Sequence, residues 1–128
     1  MLLIEVPDFP LAHGLKLVAL QGDCSVKAVV ESSGGRYVVD NAERSRQSCM
    51  DLIARARAER AHLALIPEMV IPQAMIDDLI AAVGSSPEPL VLVGGIEGLS
   101  PVEYRALVLK HGGTPTYLTS SLVLTLIP

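Results

Sequence analysis

The residue best placed for chemistry is Glu68, a carboxylate that follows an uninterrupted apolar run. The run at residues 63–66 is typical of a strand buried on both faces, and Pro67 and Pro72 bracket the point where the next helix begins. In an open parallel sheet, ligands bind beyond the carboxyl ends of the strands, so Glu68 stands where chemistry would be done. A second interpretation is open, in which Glu68 only stabilises the following helix through its dipole.

Alternating strands and helices would position Glu68. Apolar runs at residues 15–21, 63–66 and 90–93 predict three strands, and a helical segment separates each pair. This order is typical of a parallel sheet with right-handed crossovers. Residues 1–14 contain Pro7, Pro10 and Gly14 and predict an irregular lead-in, so the domain is expected at residues 15–128.

Two amphipathic helices are predicted. The first begins at Asp40, a capping residue with Glu43 three positions on, and the second has Pro72 in its first turn and Gly84 as its C-terminal cap. The first helix carries an apolar stripe, and arginines occupy the rest of its surface as a solvated face. The stripe consists of Cys49, Leu52, Ile53 and Ala56. The apolar face of the second helix consists of Met75, Ile76, Leu79, Ile80 and Val83.

The remaining apolar segments predict further strands. Residues 26–30 and 37–39 predict an extra β-hairpin, because Gly34-Gly35 supplies the backbone conformations of a tight turn. Residues 104–110 and 117–127 predict two more strands, joined by a turn at residues 111–114.

Composition excludes several classes of function. The net charge is −4 with no run of Lys or Arg, which argues against a nucleic-acid partner and against an anionic membrane surface. The first residues are interrupted by Glu5, Pro7 and Asp8, unlike a signal peptide or a spanning helix, so a cytoplasmic protein is expected. Cys24 and Cys49 are too few for a secreted disulfide framework.

The segment around Glu68 resembles that of the catalytic glutamate in the nitrilase superfamily of carbon–nitrogen hydrolases. The likeness lies in the apolar strand, Pro67, Glu68 and Met69 after a long helix, and in the opening strand that ends in Gln21. It covers roughly residues 15–114. The resemblance implies the N-terminal half of a nitrilase-like α-β-β-α sandwich, with a mostly parallel sheet, helices on one face and the hairpin as an addition. It implies a small amide or nitrile substrate and no cofactor.

The catalytic set implied by the resemblance is incomplete. In the family, Glu is the general base, Lys stabilises the oxyanion and Cys attacks the substrate carbon, in that chain order. Glu68 alone carries over. Residues 119–121 are Thr-Ser-Ser where the lysine is expected, Lys110 is an out-of-register candidate, and Cys24 and Cys49 both precede Glu68.

Other candidate motifs are weaker. The histidines at positions 13, 62 and 111 lack metal-ligand spacing, so a metal site is not expected. The segment 94–98, Gly-Gly-Ile-Glu-Gly, follows a strand but does not have the spacing of a dinucleotide-binding loop.

Three explanations of the missing residues are open. The chain is the N-terminal part of a larger or split hydrolase that is completed by a C-terminal part, a degenerate relative, or an accidental likeness; the first is favoured, with the isolated chain inactive. The alternative function is a non-catalytic α/β scaffold that dimerises. A half-sandwich leaves one apolar sheet face uncovered, and the mean hydropathy of +0.44 fits such a face. A homo-oligomer is therefore expected.

Overall fold

The computed structural model describes residues 15–21, 25–31, 34–115 and 123–126. They form a mixed α/β structure with a small, mostly parallel sheet, helices and an antiparallel hairpin. The predicted lead-in at residues 1–14 lies outside the described residues. In chain order the elements are β1 (Leu17–Ala19), β2 (Val26–Glu31), β3 (Gly34–Val39), α1 (Ala42–Ala58), β4 (Leu63–Ile71), a 3-10 turn (Gln73–Met75), α2 (Ile76–Gly84), β5 (Val91–Ile96), α3 (Pro101–Lys110) and β6 (Val123–Leu126).

The main sheet has the strand order β1-β4-β5-β6. The first three strands are parallel, as predicted, and β6 runs antiparallel to β5. In the register, Leu65 of β4 lies between Ala19 of β1 and Val93 of β5. The predicted hairpin is confirmed as β2 and β3, which pair antiparallel in a separate sheet.

The helices cover one face of the main sheet and form the core with it. Ala64 and Leu92, which are neighbours across β4 and β5, are fully buried beneath α1 and α2. The predicted stripe of α1 is confirmed, since Cys49, Leu52, Ile53 and Ala56 are all buried. On α2, Leu79 and Val83 enter the same cluster. Burial of these aliphatic side chains supplies the main favourable term in folding.

The opposite face of the sheet is apolar and only partly covered. Adjacent residues of a strand point to opposite faces, so the neighbours of the buried positions share this second face. It carries Leu17, Leu63, Leu65, Val91 and Val93, which are half-buried or, in the case of Leu17, 45% exposed. The described residues of this face include no charged side chain.

The prediction of a strand at residues 104–110 was wrong, because this segment is helix α3. Its amino end is fixed by a capping box: the Ser100 hydroxyl accepts from the Glu103 amide, and the Glu103 carboxylate accepts from the Ser100 amide. Pro101 occupies the first helical position, where a backbone N–H would have no partner within the helix. Of the strand predicted at 117–127, Val123–Leu126 is β6 and the remainder lies outside the described residues.

Three local predictions need correction. Asn41, not Asp40, caps α1, and its side chain accepts from the Arg44 amide at 3.0 Å. Gly34 and Gly35 lie within β3, where they pair with Glu31 and Val30, so they do not form the turn. Gly84 is the last residue of α2 and not its cap.

The two sheet faces should respond differently to truncation. Leu92→Ala removes a fully buried side chain from the helix-covered face and should lower the free energy of unfolding by about 2–5 kcal/mol. Leu65→Ala lies on the half-buried face, so we expect less than about half that loss. Urea unfolding of both variants measures the difference. Equal losses would mean that both faces are covered to the same degree.

Candidate functional site

The carboxyl ends of β4 and β5 are joined by an irregular pairing that contains Glu68. The parallel ladder is regular up to Ile66, which lies opposite Gly94, and it resumes only where Ile71 lies opposite Ile96. Residues 67–70 of β4 therefore face a single residue of β5, Gly95. We call residues 67–70 the β4 bulge. The extra residues bend the strand and turn Glu68 out of the ladder.

The β4 bulge depends on backbone conformation and on a glycine. Met69 has a φ of 57°, a left-handed conformation that costs of order 1–3 kcal/mol for a residue with a side chain. A Cβ atom at Gly95 would lie 2.5 Å from the Cα of Glu68 and 2.8 Å from the amide nitrogen of Met69. Only glycine lets the two strands approach so closely. Pro67 brings no N–H to the ladder, which suits an interrupted strand.

Glu68 is exposed in this arrangement. The strand predicted at residues 63–66 is longer than expected, because β4 continues to Ile71, but its regular ladder does end before Glu68. Within the described residues, Glu68 accepts no hydrogen bond from the start of the following helix. The helix-dipole interpretation therefore has no such bond to support it. The carboxylate that meets the amino end of the 3-10 turn is Glu97, whose Oε1 accepts from the Gln73 amide at 2.7 Å.

Glu97 connects three parts of the structure. It follows β5, and while Oε1 binds Gln73, Oε2 accepts from the amide of Val39 at the end of β3 at 2.9 Å. Next to it, the Gly98 amide donates to the carbonyl of Tyr37 at 2.7 Å. The glycine-rich segment 94–98 is thus used for close packing. In the sequence, Glu97 drew attention only as part of this segment; the signal that could have identified it is a carboxylate directly after a buried strand.

A second carboxylate attaches the hairpin to α3. Arg36 of β3 donates from Nη1 to Glu103 at 2.7 Å and to the carbonyl of Gly98 at 3.2 Å. The backbone and side-chain hydrogen bonds of Ser100, and then the charge of Arg36, hold the pKa of the Glu103 carboxyl below its usual range. The hairpin is therefore fixed at the carboxyl end of the sheet by Glu97 and Glu103 together.

The other candidates for the catalytic set do not meet Glu68. Cys49 is fully buried in the core, so it cannot share a solvent-exposed site with Glu68. Cys24 lies outside the described residues.

Lys110 pairs with Asp77, and this hydrogen bond holds the pKa of the Asp77 carboxyl below its usual range. The other lysines are also ion-paired, Lys16 with Glu59 at 3.2 Å and Lys27 with Asp40 at 3.6 Å.

A cavity of about 390 Å³ lies at the same end of the sheet, between the start of α1 and the ends of β1 and β4. Val70 of the β4 bulge forms part of its wall, and the carbonyl of Val70 accepts a hydrogen bond from the buried Ser45 hydroxyl of α1. The lining residues are Leu20, Gln21, Ser25, Val39, Asp40, Asn41, Arg44, Ser45, Ser48 and Val70. This cavity was not predicted from the sequence.

Comparison with protein-family models, with curated proteins and with solved structures found no match to this chain. Among the described residues, His, Cys, Asp and Glu form no group of three or more that could hold a metal ion. Within the same residues, no helix has the length and apolar character needed to cross a membrane. The function is therefore inferred from the geometry of the site.

Substitution of Gly95 tests the β4 bulge. Gly95→Ala places a methyl group against the backbone of Glu68, so we expect a loss of about 1–3 kcal/mol in the free energy of unfolding. Gly84→Ala is the control, because its Cβ would have nothing within 4 Å and alanine favours helix, so it should be neutral or stabilising by up to about 1 kcal/mol. Thermal or urea unfolding measures both. A Gly95→Ala variant as stable as the wild type would contradict the close approach.

Proposed function

We propose that this chain is the Glu-bearing part of a cytoplasmic carbon–nitrogen hydrolase of the nitrilase type. Glu68 is the general base, and a polypeptide segment other than these 128 residues supplies the lysine and the cysteine. The substrate is a small amide or nitrile, and no cofactor takes part. The β4 bulge is the single observation that carries this proposal.

The geometry of the β4 bulge supports a functional role for Glu68. The left-handed backbone at Met69 and the contact with Gly95 are unfavourable local features, and such features concentrate at functional sites. Their effect is to expose a carboxylate just beyond the regular parallel ladder. A solvated carboxylate there can accept a proton from a thiol or a water molecule.

The partly covered sheet face supports the need for a second part. Leu63, Leu65, Val91 and Val93 make this face apolar, and sheets pack face to face through such surfaces. A second sheet packed against it would complete an α-β-β-α sandwich. The same second part would bring a cysteine thiol to Glu68, which would take the thiol proton as the sulfur attacks the substrate carbon.

The first test is to find the missing residues and then to measure catalysis. Sequencing downstream of codon 128 and the neighbouring genes should reveal a lysine motif and a cysteine motif. The present chain alone should release no ammonia from simple amides, and co-expression with the second part should produce this activity. Glu68→Gln should then lower kcat by about 10²–10⁴-fold, because the general base is lost.

Glu88→Gln is the matched control for this assay. Glu88 lies in the loop between α2 and β5, and its side chain is 54% exposed, so the rate should be unchanged. Absence of lysine and cysteine motifs in every frame and neighbouring gene would refute the proposal. Wild-type kcat in Glu68→Gln would refute it as well.

The second candidate function is a non-catalytic scaffold that forms a homodimer. The observation that favours it is the same apolar face, which carries no charge among its described residues and could pack against its counterpart in a second copy. In this case Glu68 has no catalytic role, and Glu68→Gln leaves the biological role intact.

Sedimentation tests whether the chain forms the homodimer that the scaffold function requires. The wild-type chain should sediment as a dimer, and Leu17→Asp should give a monomer because it places a charge on the apolar face. Leu109→Asp is the control: Leu109 is 54% exposed on α3, compared with 45% for Leu17, and should leave the dimer unchanged. A well-behaved wild-type monomer would count against the scaffold.

A further inference from the structure

The cavity between α1 and the sheet has the position and size of a small-molecule site. It lies where the chain leaves the carboxyl ends of β1 and β4, and ligands of open α/β sheets bind beyond such ends. Its volume of about 390 Å³ falls within the range of small-molecule sites. Glu68 is not among its lining residues, so this inference does not depend on the proposed hydrolase.

Arg44 differs from the other arginines of α1. The others have partners: Arg46 pairs with Asp78 at 2.7 Å, Arg55 pairs with Glu59 at 2.7 Å, and Arg57 donates to Ser85 at 2.7 Å. In the part of the chain that the structure describes, the guanidinium of Arg44 has no such partner, although it lines the cavity. The acidic residue of the lining, Asp40, forms an ion pair with Lys27 at 3.6 Å. Among the described residues that line the cavity, Arg44 is therefore the available positive charge.

The rest of the lining is suited to a small amphiphilic molecule. Ser48 is half-buried, and its hydroxyl is not engaged by another described side chain. The Gln21 amide adds donors and an acceptor, while Leu20 and Val70 form an apolar wall. Polar residues make up most of the lining, and Leu20, Val39 and Val70 are its apolar part, so the cavity can accommodate both the polar ends and the carbon chain of a small molecule.

We propose that this cavity binds a small organic acid with a single carboxylate and a neutral polar group. The carboxylate pairs with Arg44, whose planar fork matches its geometry. The neutral group bonds to Ser48 or Gln21, and the carbon chain between the two ends packs against Leu20 and Val70. A second carboxylate on the ligand would meet no further cation among the described lining residues and would lie near Asp40.

The test is a titration of the full 128-residue chain with 4-hydroxybutyrate, monitored by ¹⁵N–¹H NMR. The amide signals of Ser45, Ser48 and Val70 should shift together. The neutral analogue 1,4-butanediol should have a Kd at least about tenfold higher, because it lacks the charge-assisted pair with Arg44. Butyrate should also bind more weakly, because it lacks the hydroxyl group. Added salt should weaken 4-hydroxybutyrate binding.

Variants of α1 separate the cavity from the general charge of the helix. Arg44→Gln should raise the Kd for 4-hydroxybutyrate about tenfold, and Arg44→Lys should recover part of the loss. Arg55→Gln, near the other end of α1, should bind as the wild type does. The unchanged signals of the remaining amides show that each variant is folded.

Three results would overturn the proposal: no shift at the cavity with folded wild-type chain, shifts confined to another region, or equal affinity of Arg44→Gln and wild type. Glu68→Gln should bind 4-hydroxybutyrate normally. Failure of the cavity proposal therefore leaves the hydrolase proposal standing, and failure of the hydrolase proposal leaves the cavity proposal standing.

Discussion

The backbone of β4 at Glu68 and Met69 lies against Gly95 of β5, and the carboxyl end of the sheet depends on this contact. A side chain at position 95 would collide with that backbone, so the close approach requires glycine. The approach accommodates the β4 bulge, which exposes Glu68 and brings Val70 to the Ser45 hydroxyl of α1. One backbone contact thus links the candidate base, the first helix and the wall of the cavity.

The hairpin and the loop after β5 stabilise the same end of the sheet. Glu97 accepts hydrogen bonds from Val39 and Gln73, and both acceptor oxygens belong to a charged group, which strengthens these bonds. Arg36 adds an ion pair with Glu103, which also caps α3. Since the helices cover one sheet face and leave the other partly accessible, the described residues have a well-packed side and an apolar side suited to a partner.

Much of the fold could be predicted because apolar periodicity reports local burial. The stripe at Cys49 and Leu52 predicted the buried side of α1, and the apolar run of β5 predicted a buried strand. Helix α3 was missed because its apolar residues form no clear stripe, although Ser100 and Glu103 show the spacing of a capping box. The place of Glu68 at the carboxyl end of the regular ladder was predictable. The β4 bulge and the cavity were not, since both depend on contacts between residues distant in sequence.

The most direct test of the β4 bulge is a nuclear Overhauser measurement between the Hα protons of Glu68 and Gly95. We expect a strong cross peak between them, because the Cβ position of Gly95 would lie 2.5 Å from the Cα of Glu68. We also expect a left-handed backbone at Met69. An uninterrupted parallel ladder through residues 66–71, with an extended Met69 and no cross peak between Glu68 and Gly95, would contradict the β4 bulge.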